Sequence, residues 1–128
     1  MWRCVVALQL LIGGSLGHNH DLLKDLGAAN MDLRQHIPEV FAGFSQMHKA
    51  ALGDGTLDAA TKELIALAIS ISSECDGCIA SHARGAVRKG ASPEAVAETI
   101  GVAIMMTGGP GTVYGPRAWD AYKEFAEG

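Results

Sequence analysis

Apolar residues recur along this chain at spacings of three and four, so the pattern is that of successive helices with clear punctuation. A short helix is expected from Asp21 to Ala29. Pro38 suits the first turn of the next, which carries Val40, Phe41, Phe44 and Met47 at helical spacing. Gly53-Asp54-Gly55 is a turn, and Asp58 then caps a long helix through Leu64, Ile65, Leu67, Ala68, Ile69 and Ile71. That helix is apolar nearly all round and is therefore expected to be central. A helix carrying two cysteines follows and stops at Gly90, a left-handed cap. Ser92-Pro93-Glu94 supplies an N-cap, a proline at the first helical position and an acid in the first turn. It opens a helix through Val96, Ile100, Ile104 and Met105, which Gly108-Gly109-Pro110-Gly111 ends. A last helix carries Trp119, Tyr122 and Phe125. No alternating strand of useful length occurs, and the expected fold class is all-α.

Composition adds bounds. At 128 residues the chain makes one domain with a real core. Hydrophobic residues are 48% and charged ones 19%, an apolar balance for so small a domain, so surplus apolar surface is expected to face other subunits. The helix from Pro93 to Thr107 and the segment after Gly108 are the expected contacts. Ten basic against 14 acidic residues, with no basic cluster, argue against nucleic acid as a partner. Three cysteines are too few for a disulfide-rich secreted scaffold.

The amino terminus stands apart. Met1-Trp2-Arg3 followed by the run from Cys4 to Ile12 resembles a secretory signal, with Ser15 and Gly17 as small residues for cleavage. The run is too short to span a bilayer, and no membrane association is expected. An upstream start or an added extension explains it equally. Residues 1–17 are thus an apolar extension or a signal peptide, and 18–128 the domain. A cytoplasmic location is expected, with export the alternative if the leader is real. Cys4 is assigned no redox role, and His18 and His20 read as solvated.

The chemistry concentrates in Ser73-Glu74-Cys75-Asp76-Gly77-Cys78-Ile79-Ala80-Ser81-His82. Two thiols three residues apart can close a disulfide without disturbing the rest of the fold. On a helix, Cys78 and His82 share one face, where an imidazole can take or share the thiol proton and expose the reactive thiolate. Glu63, in the second turn of the most apolar helix, is either an exposed acid favoured by the helix dipole or an inward carboxylate that orients His82. Glu74 competes for that role but reads as a cap or a solvated acid. Arg84 and Arg88 lie one turn apart and read as a solvated or inter-subunit face, Arg84 being also a candidate for attracting an anionic substrate. A zinc site from Cys75, Cys78 and His82 lacks a fourth ligand in the sequence, which His48 or His36 would supply only through the fold. Covalent c-type haem is excluded, since Ile79, not histidine, follows the second cysteine. Met105 and Met106 read as core or subunit contact, Trp119, Tyr122 and Phe125 as packing, and Tyr114 as packing that borders the site.

These residues resemble the carboxymuconolactone decarboxylase superfamily, in its alkylhydroperoxidase AhpD-like branch. The branch pattern Glu-x(11)-Cys-x-x-Cys-x-x-x-His is met by Glu63, Cys75, Cys78 and His82 without a gap. Thr61 to Ala68 resembles the family's central helix, Gly90-Ala91-Ser92-Pro93-Glu94 its inter-helix turn, and Met105 to Tyr114 its Gly-Gly-Pro stretch. The resemblance runs from about Asp21 to the end. It implies a helical bundle built around a helical hairpin, assembled as a homotrimer or homohexamer. It also implies a thiol-dependent oxidoreductase that reduces hydroperoxides or partner disulfides and is restored by a thiol-reducing protein donor. No metal or other cofactor is called for. By the family pattern Cys78 reacts first, His82 and Glu63 relay its proton, and Cys75 resolves the sulfenic acid as a disulfide. The residues alone leave that order open, since a helix start favours a thiolate at Cys75 whereas His82 favours Cys78. Gly77 departs from the pattern, because the best-known members carry a histidine there, and it leaves one proton-handling group fewer. A carboxymuconolactone-type decarboxylase is the enzymatic alternative, although those members generally lack the cysteine pair. A thiol-sensing or assembly module is the non-enzymatic one.

Overall fold

In the computed structural model, residues 17–128 are described. They form six helices, α1 (His18–His36), α2 (Pro38–Leu52), α3 (Ala59–Ser72), α4 (Asp76–Arg88), α5 (Pro93–Thr107) and α6 (Gly109–Glu127). No strand occurs among the described residues, so the fold is all-α. Apart from Gly17, the apolar leader lies outside the described residues. No described helix is long and apolar enough to cross a membrane.

The core is built by α3 to α6. Leu67, Ile71, Ile79 and Val96 are its largest fully buried side chains, and Ala83, Ala86, Ala118 and Ala121 line the crossings. Small residues there let helix backbones approach. Gly111 and Gly115 serve the same end, since a Cβ on either would collide with α5 at Thr107 and Ile104, or at Ile100. Tyr122 closes the base by donating its hydroxyl hydrogen to the Ala91 carbonyl at 2.9 Å.

Two similar reversals set the path of α4. At the end of α3, the Cys75 amide reaches back to the Ser70 carbonyl and the Glu74 amide to that of Ile71. At the end of α4, Ala91 bonds Ala86 and Gly90 bonds Val87 in the same way. Both are six-to-one caps that need a left-handed residue. Gly90 adopts φ 79° at no steric cost, as its sequence position predicts. Glu74 adopts φ 54° with a Cβ, which costs about 1–2 kcal/mol. The strained residue directly precedes the first cysteine.

Helix starts follow the sequence closely. Asp58 accepts from the Thr61 amide at 2.7 Å, which holds its carboxyl below the usual range, and Ser92 accepts from Ala95 at 3.1 Å. The two ends of the chain depart from expectation. α1 is 19 residues long, not the short helix from Asp21 to Ala29. It extends because the Glu124 carboxylate of α6 caps it from outside, accepting from the Asn19 and His20 amides, the Asn19 side chain and the His20 ring. A cap supplied 104 residues away leaves no local trace in the sequence. The Gly108–Gly111 stretch, expected to separate two helices, breaks the chain only at Gly108, where φ is 67°. α6 begins at the next residue, with Pro110 in its first turn, where a missing N–H costs nothing.

Apolar surface remains uncovered. α2 contains no buried residue, and Val40, Phe44 and Met47 stand exposed along it. α3, expected to be central, buries Leu67 and Ile71 but leaves Ile65 and Ile69 open.

Glu124 generates a pH prediction. Burial raises its pKa, but the hydrogen bonds from Asn19 and His20 outweigh this and hold it below its ordinary value of 4.5. Its contribution is therefore present above about pH 4.5 and fades as pH falls through the folded-state value. Glu124→Gln should cost about 1–3 kcal/mol at neutral pH. Urea unfolding of both chains should show that gap narrowing at about pH 3. An equal gap at both pH values would show that the carboxylate is not what anchors α1.

Candidate functional site

The α3–α4 reversal lays the start of α4 beside α3. Cys75 is the N-cap of α4, and its sulfur accepts from the Cys78 amide at 3.2 Å. The two cysteines are joined in a disulfide with Cα atoms 5.2 Å apart. Cys75 is half-buried and Cys78 exposed, so the second sulfur is the one a solvent-borne molecule meets. His82 follows Cys78 by one turn on the same helix face.

Glu63 takes the inward of its two possible orientations. It is 7% exposed, and Oε2 lies 2.8 Å from Nδ1 of His82. With Glu63 as a carboxylate, Nδ1–H must donate, which fixes the tautomer and leaves Nε2 as the basic nitrogen. A buried carboxylate needs such a partner, since an unpaired one costs several kcal/mol. Glu74, the competing acid, is exposed.

Two further residues belong to this site and escaped the sequence reading as parts of it. His48 reaches across from α2 and stacks on His82, with ring centroids 6.1 Å apart and planes inclined by 18°. It sets a second imidazole beside His82. No spacing rule links positions 34 residues apart, so the sequence offered His48 only beside His36, as a ligand that the fold would have to bring in. Gly85 is the other. A Cβ there would lie 2.5 Å from the Glu63 carboxyl carbon, so the glycine makes the space that the carboxylate occupies. A lone glycine inside a helical pattern was the available signal.

His48, Glu63, His82, Arg84, Gly85 and Arg88 line a groove of about 280 Å³ along α4. At the start of the helix, Asp76 pairs with Arg117 of α6 at 3.0 Å, and that guanidinium lies 4.6 Å from the centroid of the Tyr114 ring. The pair is exposed and worth at most about 1 kcal/mol. It nevertheless places Tyr114 and Arg117 near the disulfide. Among the described residues no three histidine, cysteine or acidic groups converge as metal ligands. In this oxidised form Cys75 and Cys78 offer no thiolates to a metal.

Known proteins resemble this chain in sequence and in fold. Residues 38–124 match the profile of the carboxymuconolactone decarboxylase family. An uncharacterized protein of Cupriavidus necator is 42% identical over 86 residues, 67% of this chain and 76% of that one. An uncharacterized protein encoded in the cox locus of Paracoccus denitrificans is 39% identical over 75 residues, 59% of this chain and 68% of its own. The crystal structure of an apo carboxymuconolactone decarboxylase family protein from Legionella pneumophila superimposes with TM-score 0.82 at 39% identity. That match covers 84% of this chain and 96% of the other. A Burkholderia xenovorans protein, provisionally assigned as a carboxymuconolactone decarboxylase, shares the fold with TM-score 0.69 at 24% identity, over 86% and 95% of the two chains.

The Gly85–Glu63 fit is testable through stability. Gly85→Ala should displace the carboxylate from His82 and cost about 1–3 kcal/mol. Gly27→Ala, on an open part of α1 with nothing within 4 Å, should instead stabilise by about 0.5–1 kcal/mol. Urea midpoints read both, and His82 ring nitrogen shifts should move only in the first. Matching responses from the two variants would remove the special role of Gly85.

Proposed function

The chain belongs to the carboxymuconolactone decarboxylase family, and from that premise we propose that it is a thiol-dependent oxidoreductase of the AhpD-like type. It reduces hydroperoxides through Cys75 and Cys78. The observation that carries this reading is the disulfide beside a hydrogen-bonded imidazole–carboxylate pair. A decarboxylase has no need of paired thiols. A purely structural disulfide has no need of an oriented base.

In the reduced chain, His82 Nε2 accepts the Cys78 proton, and Glu63 stabilises the imidazolium through Nδ1–H. The Cys78 thiolate attacks the terminal peroxide oxygen, the O–O bond breaks, and the alkoxide leaves as an alcohol with the proton held on His82. Cys78 is then a sulfenic acid. The Cys75 thiol displaces its hydroxyl as water and closes the disulfide, as found here. A donor dithiol reduces this by thiol–disulfide exchange and becomes a disulfide itself. The sum is hydroperoxide plus dithiol giving alcohol, water and disulfide, which balances in atoms and electrons. Exposure of Cys78 and its share of the His82 face favour it as first nucleophile. Cys75, half-buried at the helix start, suits the resolving role. His48 offers a second proton acceptor where Gly77 offers none.

Assembly into a homotrimer or homohexamer belongs to the same reading. Met105 and Met106 are each 71% exposed, and Val102 and Val113 extend that surface. They lie on the helices expected to make subunit contacts. α2, which buries nothing within the chain, adds a second surface. Exposed apolar side chains in such number are ordinarily covered by a partner when they form one patch.

One equivalent of an organic hydroperoxide should remove two thiols per reduced chain. His82→Ala should move the pH profile of Cys78 alkylation to higher pH, and Glu63→Gln should slow peroxide reduction less than His82→Ala does. Unchanged thiols after peroxide would refute the activity. Identical alkylation profiles in both variants would detach His82 and Glu63 from the thiols. Light scattering at micromolar concentration should give three or six chains per particle, and a stable monomer would overturn the assembly.

A further inference from the structure

The groove beside His82 is cationic well beyond what the proton relay needs. Arg84 and Arg88 line it together with Lys89, and the sole acid in its wall, Glu63, is already bonded to His82. Arg84, Arg88 and Lys89 take part in none of the ion pairs among the described residues. Arg84 and Arg88 also form the ridge toward a second groove, of about 430 Å³, to which α1 contributes His20 and Lys24. Gly128 lines that groove as well, and the Glu124 carboxylate of α6 is taken up by Asn19 and His20. Two guanidinium groups therefore stand together, and neither is ion-paired among the described residues.

That arrangement is costly without a ligand. Arg84 is half-buried, and burial, followed by repulsion from Arg88, lowers its pKa from the ordinary guanidinium value. A partly desolvated cation facing another cation gains most from an anion that bonds both. Guanidinium forks match carboxylate and phosphate oxygens in particular.

We propose that Arg84 and Arg88 form an oxyanion-binding site that holds the charged end of the substrate while its reactive group reaches Cys78. The inference rests on the thiol reading only for the link to Cys78, which lies one helical turn before the groove residue His82. Cys78 and Arg84 are six residues apart on one helix, about 9 Å along its axis at 1.5 Å per residue. Arg88 adds about 6 Å. The substrate class is accordingly an organic anion, with its hydroperoxide set apart from a carboxylate or phosphate by a spacer that follows the helix from one position to the other. A compact neutral peroxide leaves the arginines unpaired.

Binding is tested apart from chemistry, on the full reduced chain. Titrations with inorganic phosphate and, separately, with hexanoate should shift the Nε–H resonances of Arg84 and Arg88 saturably, leaving those of Arg34 and Arg117 in place. The anion that saturates at lower concentration identifies the headgroup. Arg84→Met should abolish saturation, with unaltered circular dichroism establishing that the variant is folded. Absence of saturable shifts with both anions would overturn the site whatever the thiols do. Thiol oxidation by a medium-chain hydroperoxy carboxylic acid is then compared with that by its methyl ester. The acid should react roughly tenfold faster at low salt, with the ratio falling as salt is added. In Arg84→Met the ratio should approach one. A ratio of one in the unaltered chain would sever the site from the thiols. If neither peroxide oxidises the cysteines, the peroxidase reading fails and the titrations still decide the anion site.

Discussion

The bond between Glu63 and His82 is the constraint around which the rest of the site is arranged. It joins α3 to α4 in the interior, where a carboxylate without a partner would not remain ionised. To form it, α4 must fold back along α3, which the left-handed residue at Glu74 permits. α4 must also come close enough that the carboxylate lies against bare backbone, which Gly85 permits. The strain at Glu74 and the missing side chain at Gly85 are both destabilising locally. They persist because one buried, charge-assisted hydrogen bond and the packing of Leu67, Ile71, Ile79 and Ala83 depend on them.

The same hairpin sets the accessibility of the two sulfurs. Cys75 ends the reversal and begins α4, so its position is fixed by backbone bonds on both sides. Cys78 lies within the first turn and faces outward. A pair made of one anchored and one exposed sulfur suits a cycle in which one atom meets substrate and the other closes onto it. Both are held by a short loop whose ends are tied to the core, so opening and closing the disulfide asks little of the remaining helices.

Much of this was legible in the sequence because it is encoded locally. Asp58, Ser92 and Gly90 act within three or four residues of themselves, and their caps follow the rules of helix termini. The spacing of Cys75, Cys78 and His82 is a statement about one helix, and Glu63 entered through resemblance to a family pattern. What was not legible depends on distant partners. Glu124 lengthens α1 from the far end of the chain, and His48 reaches His82 from a helix with no buried residue of its own. α3 is central as its apolar pattern indicates, but hydrophobicity records that a face will be covered without recording by what. Ile65 and Ile69 remain open within one chain, as do Phe44 and Met106.

The cations on α4 illustrate how a general explanation and a specific one can be separated. Basic residues near a helix C-terminus complement the macrodipole, and this accounts for Arg88 in the last turn and for Lys89 at the cap. It does not account for Arg84. That residue precedes the last turn, is half-buried, and carries the depressed pKa that a dipole partner would not produce. Its surroundings supply a second arginine where a stabilised cation would have a carboxylate. Helix electrostatics thus explain the end of α4 and leave Arg84 unexplained, and Arg84 is a residue that lines both grooves.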